Sequence, residues 1–241
     1  MSKNSDLLKA IESYHYEEKS GLNYHNQFTF IVAVVLSAQA RDEFINTQTP
    51  ELFKNAPTAE KMYELGLENI AYLIRKIGLW RNKAKNIYAL SKKIIELKEI
   101  KSNNQENLWY EEFLEKPYED DDLILYEKPI SNEGLPSFRS GLLLLPGVGR
   151  KSANVFLNVI YKAPVFPVDT HVIRLTSENR LNLAPGKNPK EIEDMLKESV
   201  PAIYSNKICH WLVWHGRKVC FARKPNCSEC KLKNYCNFVK K

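Results

Sequence analysis

The sequence predicts an all-α fold, because apolar residues recur at helical spacing along most of the chain while strand signals are scarce. Residues 82–98 show this spacing most clearly. Their expected buried face consists of Ala84, Ile87, Leu90, Ile94 and Leu97. Residues 27–39 are apolar nearly throughout, and their length favours a buried helix over a strand.

Shorter helices are expected on either side of these two segments. Residues 5–14 carry apolar side chains on one face, with Ser5 or Asp6 as the expected N-cap. Two helices are predicted at residues 58–67 and 70–77, the second ending at Gly78. The remaining predicted helices span residues 137–145, 150–161, 168–181, 189–200 and 205–218.

The 241-residue chain is long enough for one large domain or two small ones, and its charge is unevenly distributed. Residues 101–134 contain ten acidic and three basic residues, which gives this segment a net charge of −7. Because the whole chain has a net charge of +6, the rest of it carries +13. A body this basic suits a polyanionic partner, because each neutralised phosphate releases a counterion. A lysine-rich solubilising surface would have the same composition.

Residues 101–136 interrupt the helical pattern. Acidic residues, Asn and Pro alternate with aromatic residues, which indicates an inserted, solvent-facing segment. Its aromatic content argues against complete disorder and favours a small helix near residues 106–116. Shielding of the binding face, binding of a partner and solvation are all open roles for this insertion.

Nothing in the sequence predicts a membrane segment. The first residues form no apolar signal region, and the most apolar stretch, residues 31–36, is too short to span a bilayer. A cytoplasmic, nucleoid-associated location is expected.

The stretch from Leu145 to Lys151 predicts a tight hairpin between two helices. Pro146 ends the first helix, Gly147 and Gly149 are expected to adopt positive φ angles, and a second helix begins near Arg150. The unpaired N–H groups of that helix start can bind a phosphate, which approaches closely where no Cβ stands in the way. An ordinary helix–helix corner is the alternative.

Lys151 and Asp169 are the candidate chemical groups. The positive potential at a helix start disfavours the charged ammonium of Lys151, and partial burial would favour the nucleophilic amine further. The same position equally suits a lysine that binds phosphate. Asp169 precedes a helical run, so it is either an N-cap or a carboxylate that stabilises a developing cation, or both.

Four of the five cysteines lie in a single short segment, with the spacing Cys220-x6-Cys227-x2-Cys230-x5-Cys236. Such a set of thiolates holds either one zinc ion or an iron–sulfur cluster, and spacing alone does not separate these two. The fifth cysteine, Cys209, is expected to be a buried free thiol.

The hairpin strongly resembles the helix–hairpin–helix of the endonuclease III family of DNA glycosylases. Further matching motifs follow in the family's order: residues 36–39, 77–79, 168–171, 184–187, 210–212 and 215–217, and the four-cysteine loop. The resemblance implies a six-helix barrel domain over residues 25–163 and an iron–sulfur domain formed by residues 1–24 and 164–241. DNA is expected to lie in a cleft between Lys151 and Asp169.

The resemblance also implies residue roles. Lys151 would be the nucleophile of a bifunctional glycosylase and AP lyase, Asp169 its catalytic aspartate, and the four cysteines the ligands of a [4Fe–4S] cluster. Gln39 would fill the gap left by an extruded nucleotide, and Leu79 would separate the strands. The other expected DNA-binding residues are Gly147, Gly149, Arg150, His171, Arg223 and Lys224, with Arg174 as a further support near Asp169.

The expected partner is duplex DNA that contains oxidised pyrimidines or abasic sites, and the enzyme is expected to be a monomer. Two departures from the family pattern bear on the base pocket: Arg41 replaces a small residue, and Leu142 to Leu145 lack the usual carboxylate. The alternatives are a mismatch or monofunctional glycosylase, against which Lys151 argues, and a non-catalytic DNA-binding module with a structural metal.

Overall fold

The structure is a computed structural model that describes residues 3–14, 21–105, 109–110 and 128–239. Regular structure within these ranges is helical, with one isolated bridge between Ile130 and Pro136, so the prediction of an all-α fold is confirmed. The helices are α1 (Lys3–Glu12), α2 (Gln27–Leu36), α3 (Asp42–Gln48), α4 (Pro50–Asn55), α5 (Ala59–Leu65), α6 (Leu67–Leu73), α7 (Trp80–Ser102), α8 (Arg139–Leu143), α9 (Arg150–Ile160), α10 (Thr170–Thr176), α11 (Pro189–Ser199), α12 (Ala202–Ser205), α13 (Ile208–Lys218) and the short 3₁₀ helix η1 (Lys233–Tyr235).

The chain forms two compact units. One comprises Met1–Lys19 together with Lys162–Lys241, and the other comprises Ser20–Tyr161. Among the helices just given, none is long and apolar enough to cross a membrane.

Helix α2 lies at the centre of the Ser20–Tyr161 unit, and every residue from Phe28 to Leu36 is buried. A capping box fixes its start: the Asn26 side chain accepts from the Thr29 N–H at 2.7 Å, while the Thr29 hydroxyl accepts from the Asn26 N–H at 3.0 Å. The five residues predicted for the inner face of α7 are all buried, which confirms that periodicity.

Helices α8 and α9 form a helix–hairpin–helix around residues 144–149. The guanidinium of Arg139, only 1% exposed, donates through Nε to the Oδ1 atom of Asn154 at 2.8 Å. Because this bond joins α8 to α9 within the core, it fixes the angle at which the two helices meet at the hairpin.

Several boundaries differ from the predictions. Helix α1 begins at Lys3, so Ser5 and Asp6 lie inside it and neither is its N-cap. Helix α6 ends at Leu73 rather than at Gly78, because the backbone turns at residues 74–78. Helices α3 and α4 were not predicted, since each is only six or seven residues long.

The two ends of the predicted insertion are part of the fold. Helix α7 continues to Ser102, and Ile130 and Leu135 are fully buried, so a solvent-facing segment over all of residues 101–136 is wrong. The Glu133 carboxylate accepts from the N–H of Phe28 at 2.9 Å and of Gln27 at 3.3 Å, at the start of α2. The small helix predicted near residues 106–116 lies largely outside the described residues.

The second unit has its own core, in which α1 packs with α10, α11 and α13. Leu7, Leu8 and Ile11 of α1 are each at most 2% exposed within this core, which confirms the apolar face predicted there. Cys209 is 3% exposed and belongs to the same core, as expected of a buried thiol. Helix α10 matters most to the candidate site, because Asp169 is its N-cap.

Candidate active site and metal centre

The hairpin between α8 and α9 is held by its neighbours in the Ser20–Tyr161 unit. Gly147 has φ +84°, and a Cβ atom there would stand 3.0 Å from the Asn86 side chain of α7 and 3.1 Å from the Val35 side chain of α2. Gly149 instead has φ −95° and is the N-cap of α9, so the prediction of a positive φ is right for Gly147 and wrong for Gly149. Nothing lies within 4 Å of the Cβ position at Gly149, which leaves its outer face open.

Lys151 lies in the first turn of α9, two residues beyond Gly149. Its side chain is exposed, whereas Ala153 and Asn154, in the next positions, are buried. The partial burial expected for Lys151 is therefore absent from the chain without DNA. An exposed amine on an anchored helix start is free to reach a reacting group outside the protein. Arg150 beside it is half-buried.

Three exposed non-glycine residues described in the same unit have left-handed backbone conformations, and two of them, Gln39 and Leu79, are expected DNA-binding residues. Gln39 follows α2 with φ 57°, and Leu79 precedes α7 with φ 59° and an exposure of 60%. A non-glycine residue with this backbone costs about 1–2 kcal/mol, so surrounding contacts must impose it. Their positions on tight turns project both side chains outwards from the helix ends.

Lys83 ties these two turns together and was missed by the sequence analysis. Its ammonium donates to the carbonyl oxygens of Leu36 at 2.8 Å and Ala38 at 2.7 Å, at the end of α2. Its own N–H donates to the carbonyl of Leu79 at 3.1 Å. Its burial could have been predicted from its position, because Lys83 lies four residues before Ile87 and therefore on the apolar face of α7.

Asp169 is the N-cap of α10 in the other unit. Its Oδ1 atom accepts from the N–H groups of His171 at 2.8 Å and Val172 at 3.0 Å. Its Oδ2 atom lies 3.3 Å from Nδ1 of His171, and the carboxylate side chain is 22% exposed. The N-cap alternative is therefore confirmed, and it leaves Oδ2 able to act on a group outside the helix.

Helix α10 is joined to the cysteine loop through Arg174. This guanidinium donates to the carbonyls of Gly216 at 3.2 Å and Cys220 at 3.0 Å. His171 lies against the same glycine, where a Cβ atom would be only 2.8 Å from its ring. Two residues of α10, His171 and Arg174, therefore contact the segment that leads into the cysteine loop, and Arg174 binds the backbone of its first cysteine.

The four clustered cysteines line a single pocket. Burial, together with smaller contributions from the charges of the other three cysteines, raises the pKa of Cys230. No three side chains of the His, Cys, Asp or Glu type in the described ranges converge closely enough to hold a single metal ion.

The rest of the pocket suits a group with acceptor atoms. Arg180, 9% exposed, lines it, and within the described part of the chain its Nε atom has no hydrogen-bond partner. His215 lies 3.6 Å from the Cys230 sulfur, and burial followed by the Arg174 charge lowers the pKa of His215 to about 4. Soft thiolates and an unpaired buried donor fit the sulfide-rich surface of an iron–sulfur cluster.

Arg223 and Lys224 lie between the first two cysteines, and both are exposed. Arg41 is also exposed, at the start of α3. Of the four consecutive leucines, Leu142 and Leu145 are buried in the core, whereas Leu143 and Leu144 are 39% and 41% exposed.

The comparisons with known proteins agree with this geometry. A family model described as the HhH-GPD superfamily of base excision DNA repair proteins matches residues 32–202, and one described as the iron–sulfur binding domain of endonuclease III matches residues 220–236. Endonuclease III of Rickettsia conorii is 40% identical over 91% of this chain and 88% of its own length. Endonuclease III of Escherichia coli K12 is 35% identical over 100% of this chain and 97% of its own length.

The chain belongs to the endonuclease III family.

Solved structures place this endonuclease III family member in the same fold. A trapped endonuclease III–DNA covalent intermediate, an estranged-adenine complex, superimposes with a TM-score of 0.78 at 30% identity, covering 100% of this chain and 98% of that one. A non-covalent endonuclease III–DNA complex gives a TM-score of 0.75 at 29% identity, with 100% and 97% covered. The predicted family and helix–hairpin–helix glycosylase fold are confirmed, and the match over residues 220–236 shows that the protein binds an iron–sulfur cluster.

Proposed function

We propose that the protein is a bifunctional DNA glycosylase and AP lyase of base excision repair, with Lys151 as nucleophile and Asp169 as catalytic carboxylate. The observation that carries the proposal is the position of Lys151, exposed in the first turn of α9 directly after a hairpin whose glycine face is open. Membership of the endonuclease III family supports the same chemistry.

The reaction begins at the sugar of the damaged nucleotide. The Lys151 amine attacks C1′, and the bond between C1′ and the base breaks as the base departs with its electron pair and gains a proton. The attached nitrogen then loses one proton, and the C1′–O4′ bond breaks as O4′ gains one, so the sugar ring opens to a protonated imine that makes the C2′ hydrogen acidic. Removal of that proton breaks the C3′–O bond, so the strand is cut 3′ to the lesion by β-elimination.

The two carboxylate oxygen atoms of Asp169 have different functions in this proposal. Oδ1 is committed to the N–H groups at the start of α10, which fixes the carboxylate in place. Oδ2, near His171, stabilises the positive charge that develops on the sugar as the base leaves, and it exchanges protons during imine formation.

The remaining predicted residues bind the duplex. The N–H groups at the start of α9, with Gly147, Gly149 and Arg150, hold a phosphate. The nucleotide must be extruded before its C1′ atom is accessible, and Gln39 and Leu79 fill and widen the vacated stack. Arg223 and Lys224 add phosphate contacts. The partner is duplex DNA containing oxidised pyrimidines or abasic sites, the enzyme acts as a monomer, and it works in the nucleoid.

The cluster held by Cys220, Cys227, Cys230 and Cys236 is proposed to be [4Fe–4S]. When bound, it supplies a rigid anchor for the loop that carries Arg223 and Lys224 rather than a reacting group. An anaerobic preparation should be brown, with about four iron and four sulfide ions per chain. A colourless preparation containing zinc would contradict this assignment.

Borohydride trapping on abasic duplex DNA tests the catalytic proposal. Wild-type protein should form a covalent adduct that reduction makes permanent, and Lys151→Ala should form none. Lys92→Ala, which removes an exposed lysine of α7, is the matched control. Equal trapping by Lys151→Ala, or no trapping by wild type, would defeat the lyase assignment. On a duplex that still carries a damaged base, base release without strand cleavage would identify a monofunctional glycosylase.

A panel of duplexes, each with one oxidised pyrimidine, tests the substrate class. Release of at least one oxidised pyrimidine at single-turnover rates well above those for undamaged bases is expected. Exclusive excision of a mismatched normal base would assign the protein to a mismatch-specific branch, and the exposed Arg41 and Leu143 are the residues to exchange first in that case.

A further inference from the structure

Lys83 is a buried, charged residue that has no part in the proposed mechanism. It lies in the first turn of α7, yet it is only 5% exposed. Its ammonium donates to the carbonyls of Leu36 and Ala38 at the end of α2. Carbonyl groups at a helix end lack partners within the helix and carry partial negative charge, so a buried cation is well placed there.

The same residue links the turns of Gln39 and Leu79. Its side chain holds the backbone immediately before Gln39, and its N–H makes the first helical bond of α7 to the carbonyl of Leu79, a backbone bond that any non-proline residue at this position would make. Gln39 and Leu79 are the two residues proposed to enter the DNA stack, and each has a backbone conformation that must be imposed by its surroundings. A contact to one turn alone would leave the spacing between them free to change.

We propose that Lys83 is a positioning residue for nucleotide extrusion, which fixes the turn of Gln39 relative to that of Leu79 so that both side chains enter the duplex together. The inference rests on the proposed function, because the spacing matters only if the protein extrudes a nucleotide.

A purely structural role explains the residue less well. Burial lowers the pKa of Lys83, which means that removing this ammonium from water costs free energy. A methionine of similar length would fill the space without that cost. What methionine lacks is the pair of donors that reach the carbonyls on either side of Ser37, so the lysine contributes a defined turn geometry.

The test compares duplex and single-stranded abasic substrates under single-turnover conditions. A single strand has no complementary partner, so its sugar reaches Lys151 without any gap to fill. Lys83→Met should cut abasic duplex DNA at least tenfold more slowly than wild type, and cut the single strand at a rate within about twofold of wild type. Lys92→Met removes an exposed lysine of the same helix and should behave as wild type on both substrates.

A double-mutant cycle shows whether Lys83 acts through the Gln39 turn. If it does, Lys83→Met combined with Gln39→Ala should be little slower on duplex DNA than the slower single variant. A spectroscopic readout is 2-aminopurine opposite the abasic position: wild type should displace this base and raise its fluorescence, whereas Lys83→Met should leave it closer to that of free duplex.

Three results would overturn the inference: wild-type duplex rates for Lys83→Met, equal losses on duplex and single strand, or multiplicative losses in the cycle. If Lys83→Met does not fold, Lys83→Gln, which keeps an amide donor, replaces it in the same comparisons. Failure of the proposed function is distinguishable, since wild-type protein would then cleave neither substrate.

Discussion

The two glycines of the hairpin are expected to serve different purposes, Gly147 the stability of the fold and Gly149 the binding of DNA. Alanine substitution at each position tests this. Gly147→Ala places a Cβ at φ +84°, which costs about 1–2 kcal/mol. The new atom also stands 3.0 Å from Asn86 and 3.1 Å from Val35, and such overpacking adds about 1–2 kcal/mol. A total of about 2–4 kcal/mol corresponds to a fall in Tm of roughly 4–16 °C for a chain of this size.

Gly149→Ala should show the opposite pattern. Its φ of −95° suits alanine and nothing lies within 4 Å of the new Cβ, so the stability loss should stay below about 1 kcal/mol, from the poorer N-cap. That Cβ, however, stands at the start of α9, whose N–H groups are proposed to hold a phosphate. We expect Kd for DNA to rise about tenfold, equivalent to about 1.4 kcal/mol.

Thermal melts and fluorescence anisotropy with an uncleavable abasic duplex, at one fixed salt concentration, measure both effects. Gly147→Ala should be unstable, and Gly149→Ala should be stable but bind weakly. Unchanged DNA affinity for Gly149→Ala would refute the argument from close phosphate approach. An unchanged Tm for Gly147→Ala would refute the argument from backbone strain.

Three further predictions follow from the same structure. Asp169→Asn keeps an oxygen for the N–H groups of α10, so Tm should change by no more than about 2 °C while the single-turnover rate falls about 10²–10³-fold; Asp169→Ala should lose about 1 kcal/mol of stability as well. Cys230→Ser should lose the visible absorbance and iron content of the cluster, whereas Cys209→Ser, in the core outside the pocket, should retain both. Leu79→Ala, at a 60% exposed position, should change stability by less than about 0.5 kcal/mol yet slow duplex cleavage about tenfold, and an unaltered rate would remove Leu79 from the DNA-binding residues.

The sequence predicted the family and its helix–hairpin–helix better than the limits of the helices. Motifs such as the hairpin and the four-cysteine spacing depend on residue types at fixed separations, which are visible in one dimension. The ends of α1 and α6 depend on which backbone groups find partners after folding, so the proposed caps at Ser5, Asp6 and Gly78 failed. Helices α3 and α4 are too short to show a period.

Buried polar residues were the harder part to predict. Lys83, Arg139 and Arg180 look like surface cations in the sequence, since lysine and arginine are usually exposed. Each is buried because a specific acceptor, or a pocket that holds a cofactor, is brought to it from a distant part of the chain. Lys83 alone carried a local signal, its register with Ile87 and the apolar face of α7.

A test of the role of the acidic insertion depends on which residues are deleted. Glu133 belongs to the acidic stretch by composition, but its carboxylate caps the first N–H groups of α2, the helix that ends next to Gln39. Deleting residues 103–133 to ask whether the acidic charge competes with DNA would therefore also remove a cap from the central helix. A deletion confined to residues 111–127 removes eight acidic residues and one lysine, and it leaves in place both Glu133 and the ring contacts of Trp109 and Tyr110 with Phe138. With that deletion, tighter DNA binding at low salt would mean that the negative charge competes with DNA, because the cap of α2 is unchanged.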